Sequence, residues 1–268
     1  GELVPVVNRA LAKFGISHLR LNPPSRKPAP STPGSRQPGG PGGQPRSSTN
    51  QTLTWLDGDI AVVKIRSFDD ELYERPKIEA FFDEIAPRAK GLILDLRGNG
   101  GGAVTALSHL LSLFLPEGTE VGVYVNKEVT RAFERAKGEK ASDPVEVAAW
   151  THRKFRVRRN PKPPVHMPTA VLLSRGSASA SEIVAAALRD HANAAIVGQP
   201  SAGKVLLSMH TKLAHGFELQ IPTADYVTAR GRRLEGQPLR PNLPAPGGRG
   251  ASSEAALNLA ADLLRNGL

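Results

Sequence analysis

The sequence predicts an α/β fold, a sheet of short buried strands joined by helical crossovers. Short apolar runs recur at residues 60–65, 92–96, 121–125, 170–173 and 194–197, as expected of strands covered on both faces. Longer stretches with apolar residues at helical spacing lie between most of them. The alternation of the two is the pattern of crossover-connected sheets.

Taken in order, residues 4–14 carry apolar residues at helical spacing, and Gly15 stops that helix. Residues 1–22 therefore form an N-terminal helical segment. In residues 23–50, Pro, Gly and Ser fill 18 of 28 positions, with no acidic residue and no aliphatic one but Ala29. Such a stretch buries too little apolar surface to offset its ordering entropy, and reads as a flexible linker. The body runs from 51 to 268. Its strand at 60–65 is followed by a helix over 74–86, with Ile78, Phe81, Phe82 and Ile85 on one face. The strand at 92–96 ends in a glycine turn before a helix over 103–115. After the strand at 121–125 comes a basic insertion, 126–164, part helix and part irregular. The strand at 170–173 meets a turn of small residues that opens a helix over 180–191. Beyond the strand at 194–197, alternation resumes through residue 221, and an amphipathic helix over 254–265 closes the chain.

Composition narrows the function classes. With no cysteine, disulfides, thiolate chemistry and cysteine-ligated metals are excluded. No histidine shows an HExxH-like spacing, so no zinc site and no cofactor are expected. No stretch approaches 18 apolar residues, so no transmembrane segment is predicted. The chain begins at Gly1 without a signal peptide and reads as a mature or truncated fragment. A net charge of +10 raises nucleic-acid binding. Aromatic residues at 5% are too few for a base-stacking platform, so no nucleic-acid partner is expected.

Three segments carry residue types with chemistry. Residues 174–183 (Ser-Arg-Gly-Ser-Ala-Ser-Ala-Ser-Glu-Ile) lie at a strand-to-helix turn. There a hydroxyl is exposed, and free backbone N–H groups and the positive helix end lie beside it. Those are the needs of a serine nucleophile and its oxyanion hole; helix capping is the plain alternative. Residues 198–207 place Lys204 at the entry to an apolar strand. A lysine acts as a general base only when its environment disfavours the charge; a surface lysine is the plain alternative. Residues 95–103 end a strand in a run of glycines that brings the backbone close to a ligand, or simply turns it.

Together the three resemble, in the right order, the signatures of the S41 peptidases, the tail-specific and C-terminal processing proteases. Residues 93–102 are similar to the family's LDLRxNxGG strand-turn, 176–183 to its SASASE turn, and 198–204 to its GxxTxGK segment. The resemblance covers about residues 52–243 and implies a crotonase-like ββα core. It makes Ser179 the nucleophile and Lys204 the base, 25 positions apart as in the family pattern. Ser177 and Ser181 then become bystanders or caps, and the oxyanion donors become the backbone N–H groups of Ala180 and Gly101. The implied reaction is cleavage of unfolded or C-terminal-tail polypeptides through an acyl-enzyme. An extracytoplasmic site in a bacterium is implied too, and a homo-oligomer is left open.

The chain also departs from the family. Ser208 stands where processing peptidases carry a glutamine that orients the lysine, and Ser201-Ala202 replaces Thr-Phe before the Gly-Lys pair. The linker occupies the interval where a PDZ domain is common, so the substrate is expected to dock by edge-strand addition near the active site or through parts outside this chain. Residues 15–18 resemble the "SH" element that precedes the core. In the tricorn-like branch such a histidine is the base, supported by a glutamate; the matching pair here is His18 and Glu235. That branch lacks the lysine, which favours Ser179–Lys204. A non-catalytic binding module on the same fold and a crotonase-type acyl-CoA enzyme remain as competing readings.

Overall fold

The computed structural model describes residues 3–24, 49–247 and 250–267. The chain divides into two compact units, Gly1–Thr49 with Ser208–Pro222, and Asn50–Leu207 with Thr223–Leu268. The sequence reading assigned 51–268 to one body; the structure groups Ser208–Pro222 with the N-terminal segment instead. Most of the Pro/Gly-rich linker falls outside the described residues.

In chain order the elements are α1 (Leu3–Ala12), β1 (Arg20–Asn22), β2 (Gln51–Leu56), β3 (Ile60–Ile65) and α2 (Arg75–Ile85). Then come β4 (Gly91–Asp95), α3 (Val104–Ser112), β5 (Glu120–Asn126), α4 (Lys127–Lys137) and α5 (Pro144–Trp150). They are followed by β6 (Phe155–Arg156), β7 (Thr169–Leu173), α6 (Ala180–Ala192), β8 (Ala195–Gly198) and β9 (Leu207–Lys212). Last are β10 (Glu218–Thr228), β11 (Leu243–Pro244) and α7 (Ala251–Asn266).

The smaller unit is tied together locally. Residues Arg20, Leu21 and Asn22 pair antiparallel with Gln220, Leu219 and Glu218. Asn8 of α1 brackets Leu21, accepting its N–H at 2.6 Å and donating to its carbonyl at 2.9 Å. That pairing places Glu218, Leu219 and Gln220 with the N-terminal segment.

The larger unit is built on a six-stranded sheet in the order β11-β8-β7-β4-β3-β2, parallel except for β2 against β3. Strand alternation sorts its side chains onto two faces. Leu92, Leu94, Val171 and Leu173 pack with α2, α3 and α6, whose Ile78, Phe82, Leu110 and Ile183 complete that core. Ile93, Ala170, Leu172 and Val197 face the other way, onto Ala260, Ala261 and Leu264 of α7. Both faces being covered explains why these strands read as continuous apolar runs. The run at 121–125 is the exception: as β5 it lies outside the parallel sheet, antiparallel to β10 with Tyr124 opposite Tyr226, and β6 pairs on its other side.

Candidate active site

The parallel arrangement brings the ends of β4 and β7 side by side, so the two turns that follow them meet. Asn99, fully buried, holds them together. Its amide donates to Ile65 O at 3.0 Å, and its own carbonyl accepts from Ala178 N at 3.0 Å and from Ser181 Oγ at 2.9 Å. Gly101 shows how close the approach is: a Cβ there would stand 2.6 Å from Ser179 Cβ and 3.1 Å from Ala180 N. Its φ of +101° is also one that favours glycine.

Three serines occupy the second turn, and the structure gives them different work. Ser177 is buried and donates to Leu96 O at 2.8 Å; Ser181 is buried and donates to Asn99 O. Both hydroxyls stitch the two turns together. Ser179, partly exposed, sits at φ +56°, ψ −118°, immediately before α6. A non-glycine residue there stores roughly 1–3 kcal/mol of backbone strain, at the kind of sharp strand-to-helix turn on which a nucleophilic serine is placed. The buried Ala180 N–H that follows is accepted by no carbonyl among the described residues, as expected in a first helical turn.

The segment containing Lys204 lies against this turn. Ser179 N–H donates to Lys204 O at 2.8 Å, and Ala202 N–H to Ser177 O at 2.9 Å. Lys204 itself is exposed between the buried Gly203 and Val205, and β9 begins only at Leu207. The expected entry into an apolar strand is therefore corrected: the backbone of this segment is clamped while the lysine side chain points to solvent. Among the described residues no hydrogen bond joins Ser179 Oγ to Lys204 Nζ.

What clamps it is Glu182, which the sequence reading passed over. This fully buried carboxylate accepts from Lys204 N at 2.9 Å and Ser179 N at 3.1 Å through Oε2, and from Gly203 N at 2.8 Å and the Ser201 hydroxyl through Oε1. Burial pushes its pKa above the usual glutamate range, against the opposing pull of Ser201 and the three N–H groups. Ser179-x-x-Glu182 has the spacing of a capping box, the signal that could have revealed it. Ser201, noted only as a departure, supplies a hydroxyl to this clamp.

The other expected residues fall as follows. Glu235 lies beside the same segment, its Oε2 accepting Val205 N–H at 2.9 Å. The Gly101 N–H is engaged within its own loop by Asn99 Oδ1 at 2.9 Å. His18 and Ser208 belong to the smaller unit. There His18 Nδ1 bonds Ser17 Oγ at 2.8 Å, and Ser208 Oγ accepts from Gln220 Nε2 at 2.7 Å.

The profile of Peptidase family S41 matches residues 59–245. The chain belongs to that family. Among its curated relatives, the carboxyl-terminal-processing protease of Synechocystis is 36% identical over 140 residues, covering 52% of this chain and 27% of the relative. The carboxy-terminal-processing protease of Bartonella bacilliformis is 30% identical over 193 residues, covering 70% of this chain and 39% of that one. This S41 chain thus spans well under half the length of either. Its fold is also that of the solved photosystem II D1 C-terminal processing protease, with a TM-score of 0.55 and 21% identity over 75% of this chain and 46% of that one.

Proposed function

We propose that this chain is the catalytic part of a serine endopeptidase acting on unfolded or C-terminal-tail polypeptides through a Ser179–Lys204 dyad. The observation that carries the reading is the Ser179 N–H to Lys204 carbonyl bond, which docks the segment of the base on the turn of the nucleophile. Lys204 swings its amine onto Ser179 Oγ and takes its proton as the oxygen attacks the scissile carbonyl. The developing oxyanion is held by the Ala180 N–H at the positive end of α6 and by the glycine turn. The Gly101 N–H joins once it leaves Asn99. Collapse expels the amine product as Lys204 hands the proton to its nitrogen; Lys204 then takes a proton from the attacking water and returns it to Ser179 Oγ as the acyl-enzyme is hydrolysed.

The β2–β3 hairpin, α2 and the parallel β4 support reading the core as crotonase-like. The names of the relatives support C-terminal processing; an extracytoplasmic site in a bacterium is what the family resemblance implies. Among the described residues no helix is long and apolar enough to cross a membrane.

The test is cleavage of casein by wild type, Ser179→Ala, Lys204→Ala and His18→Ala. Loss of activity in the first two variants with retention in the third establishes the dyad. Activity that survives Lys204→Ala but not His18→Ala assigns the base to His18, with Glu235 as its support. An inert wild type, given intact folding, favours a binding module.

A further inference from the structure

A cavity of about 760 Å³ opens in the larger unit, and neither Ser179 nor Lys204 lines it. It uses the basic insertion that the catalytic reading leaves unexplained. Arg75, Lys154, Arg156, Arg158 and Arg159 line it, and among the described residues Glu79 alone brings a carboxylate to its wall. Glu79 is already bonded to His109 Nε2 at 3.1 Å. Lys154 and Arg156 share Glu120, at 3.5 and 3.9 Å. Arg75, Arg158 and Arg159 are exposed and form no ion pair among the described residues, which leaves their guanidinium groups free to take a carboxylate in the cleft.

Two further features distinguish this cleft from an ordinary solvated basic face. Tyr124 lines it, and its buried hydroxyl has no partner among the described residues, a donor left unspent. Burial raises the Tyr124 pKa, which keeps that proton in place. The second feature is β6, the outer strand on its side of β5, whose Phe155 and Arg156 line the same cavity. An unpaired strand edge is a template for an added extended chain.

We propose that this cleft holds an acidic, extended segment of the polypeptide substrate, paired along the β6 edge with its carboxylates on Arg75, Arg158 and Arg159. Planar guanidinium groups suit carboxylates, and the net charge of +10 steers an acidic chain toward the enzyme. Concavity argues against a bilayer, which is flat. Single-stranded nucleic acid needs open ring faces, whereas Tyr124 is packed between Phe155 and Tyr226, with centroids 5.3 and 5.4 Å away. The inference deepens the peptidase reading and rests on it for the word substrate.

The experiment is fluorescence anisotropy of labelled Glu-rich and Lys-rich decapeptides against the full chain carrying Ser179→Ala, so that nothing is cut. The Glu-rich peptide binds and the Lys-rich one does not, with affinity falling as salt rises. Adding Arg158→Glu with Arg159→Glu weakens binding roughly tenfold or more. Reversing Arg131 and Arg135 on α4, an equal change of net charge, leaves it intact, and Tyr124→Phe weakens it about threefold. With Ser179 restored, the Arg158/Arg159 reversal raises KM for an acid-tagged substrate and spares kcat. Equal binding of both peptides, indifference to the reversal, or tighter binding of phosphatidylglycerol vesicles or single-stranded DNA through these arginines overturns the proposal. Because binding needs no turnover, a failed casein assay with intact peptide binding removes the peptidase reading alone.

Discussion

The N–H of Ser179 donates to the carbonyl of Lys204 at 2.8 Å, so the two residues are joined through their backbones while their side chains are not. Glu182 reinforces the link by accepting from both N–H groups, at 3.1 and 2.9 Å. The geometry separates two tasks. The backbone network sets where the Ser179 and Lys204 segments lie, and in the proposed mechanism a rotation of the exposed Lys204 side chain brings its amine to Ser179. Four consequences are measurable.

Removing the clamp loosens both segments at once. Glu182→Ala leaves the Gly203 and Lys204 N–H groups and the Ser201 hydroxyl without their acceptor and costs about 3 kcal/mol, read as a lower urea midpoint at unchanged slope. An unchanged midpoint would show that the four bonds carry no net stability.

Glu182 also gives activity an acid limb. Its pKa is raised by burial, so the native state takes up this proton at a pH where an unfolded glutamate is still ionised. Folding stability from this group is therefore greater below the raised value and falls as pH rises through the interval. The bound proton, however, turns one carboxylate oxygen into a donor and deprives an N–H of its acceptor. The pH profile of kcat/KM is expected to fall on the acid side above the ordinary glutamate range, and Glu182→Gln to lose that limb. A limb identical in both proteins would assign it to another group.

Gly101→Ala tests the close approach of the two turns. The new Cβ would meet Ser179 Cβ at 2.6 Å in a backbone conformation that disfavours any side chain. Ser179 must shift, and if it is the nucleophile proposed above, kcat is expected to fall about 100-fold or more while circular dichroism stays native. Wild-type turnover in a folded Gly101→Ala protein would place the oxyanion site elsewhere.

Asp95 links acid stability to the glycine turn. Its buried carboxylate bonds Lys64 at 2.9 Å and Arg97 at 2.8 Å. Burial pushes its pKa up, but Arg97 and then Lys64 outweigh this and hold it below the usual range. A depressed folded value means stability present above the unfolded pKa of about 4 and lost as pH falls through the folded one. Asp95→Asn should cost about 3 kcal/mol at pH 7 and flatten the acid side of the stability curve. Parallel curves for the two proteins would refute the linkage.

How far the sequence reached follows from where each signal resides. The four central strands of the sheet, β3, β4, β7 and β8, were readable because burial on both faces writes itself as uninterrupted apolar runs. The turn at Ser179 was readable because strand, small residues and helix adjoin in the chain. The two-residue strands β6 and β11 left no periodicity to find, and β2 was passed over as the mere start of the body. That β5 pairs with β10 rather than joining the parallel sheet depends on residues about a hundred positions apart, beyond any local pattern.

By itself the sequence determined the α/β class, the three chemistry-bearing segments and their order, since these follow from local composition and spacing. Only the tertiary structure decided that Ser177 and Ser181 spend their hydroxyls on the neighbouring turn while Ser179 does not. Only it exposed Lys204, drew Asn99 and Glu182 into the site, and gathered the arginines around one cleft. Hydrogen-bond partners and burial are properties of groups brought together from distant positions, and no single stretch of chain encodes them.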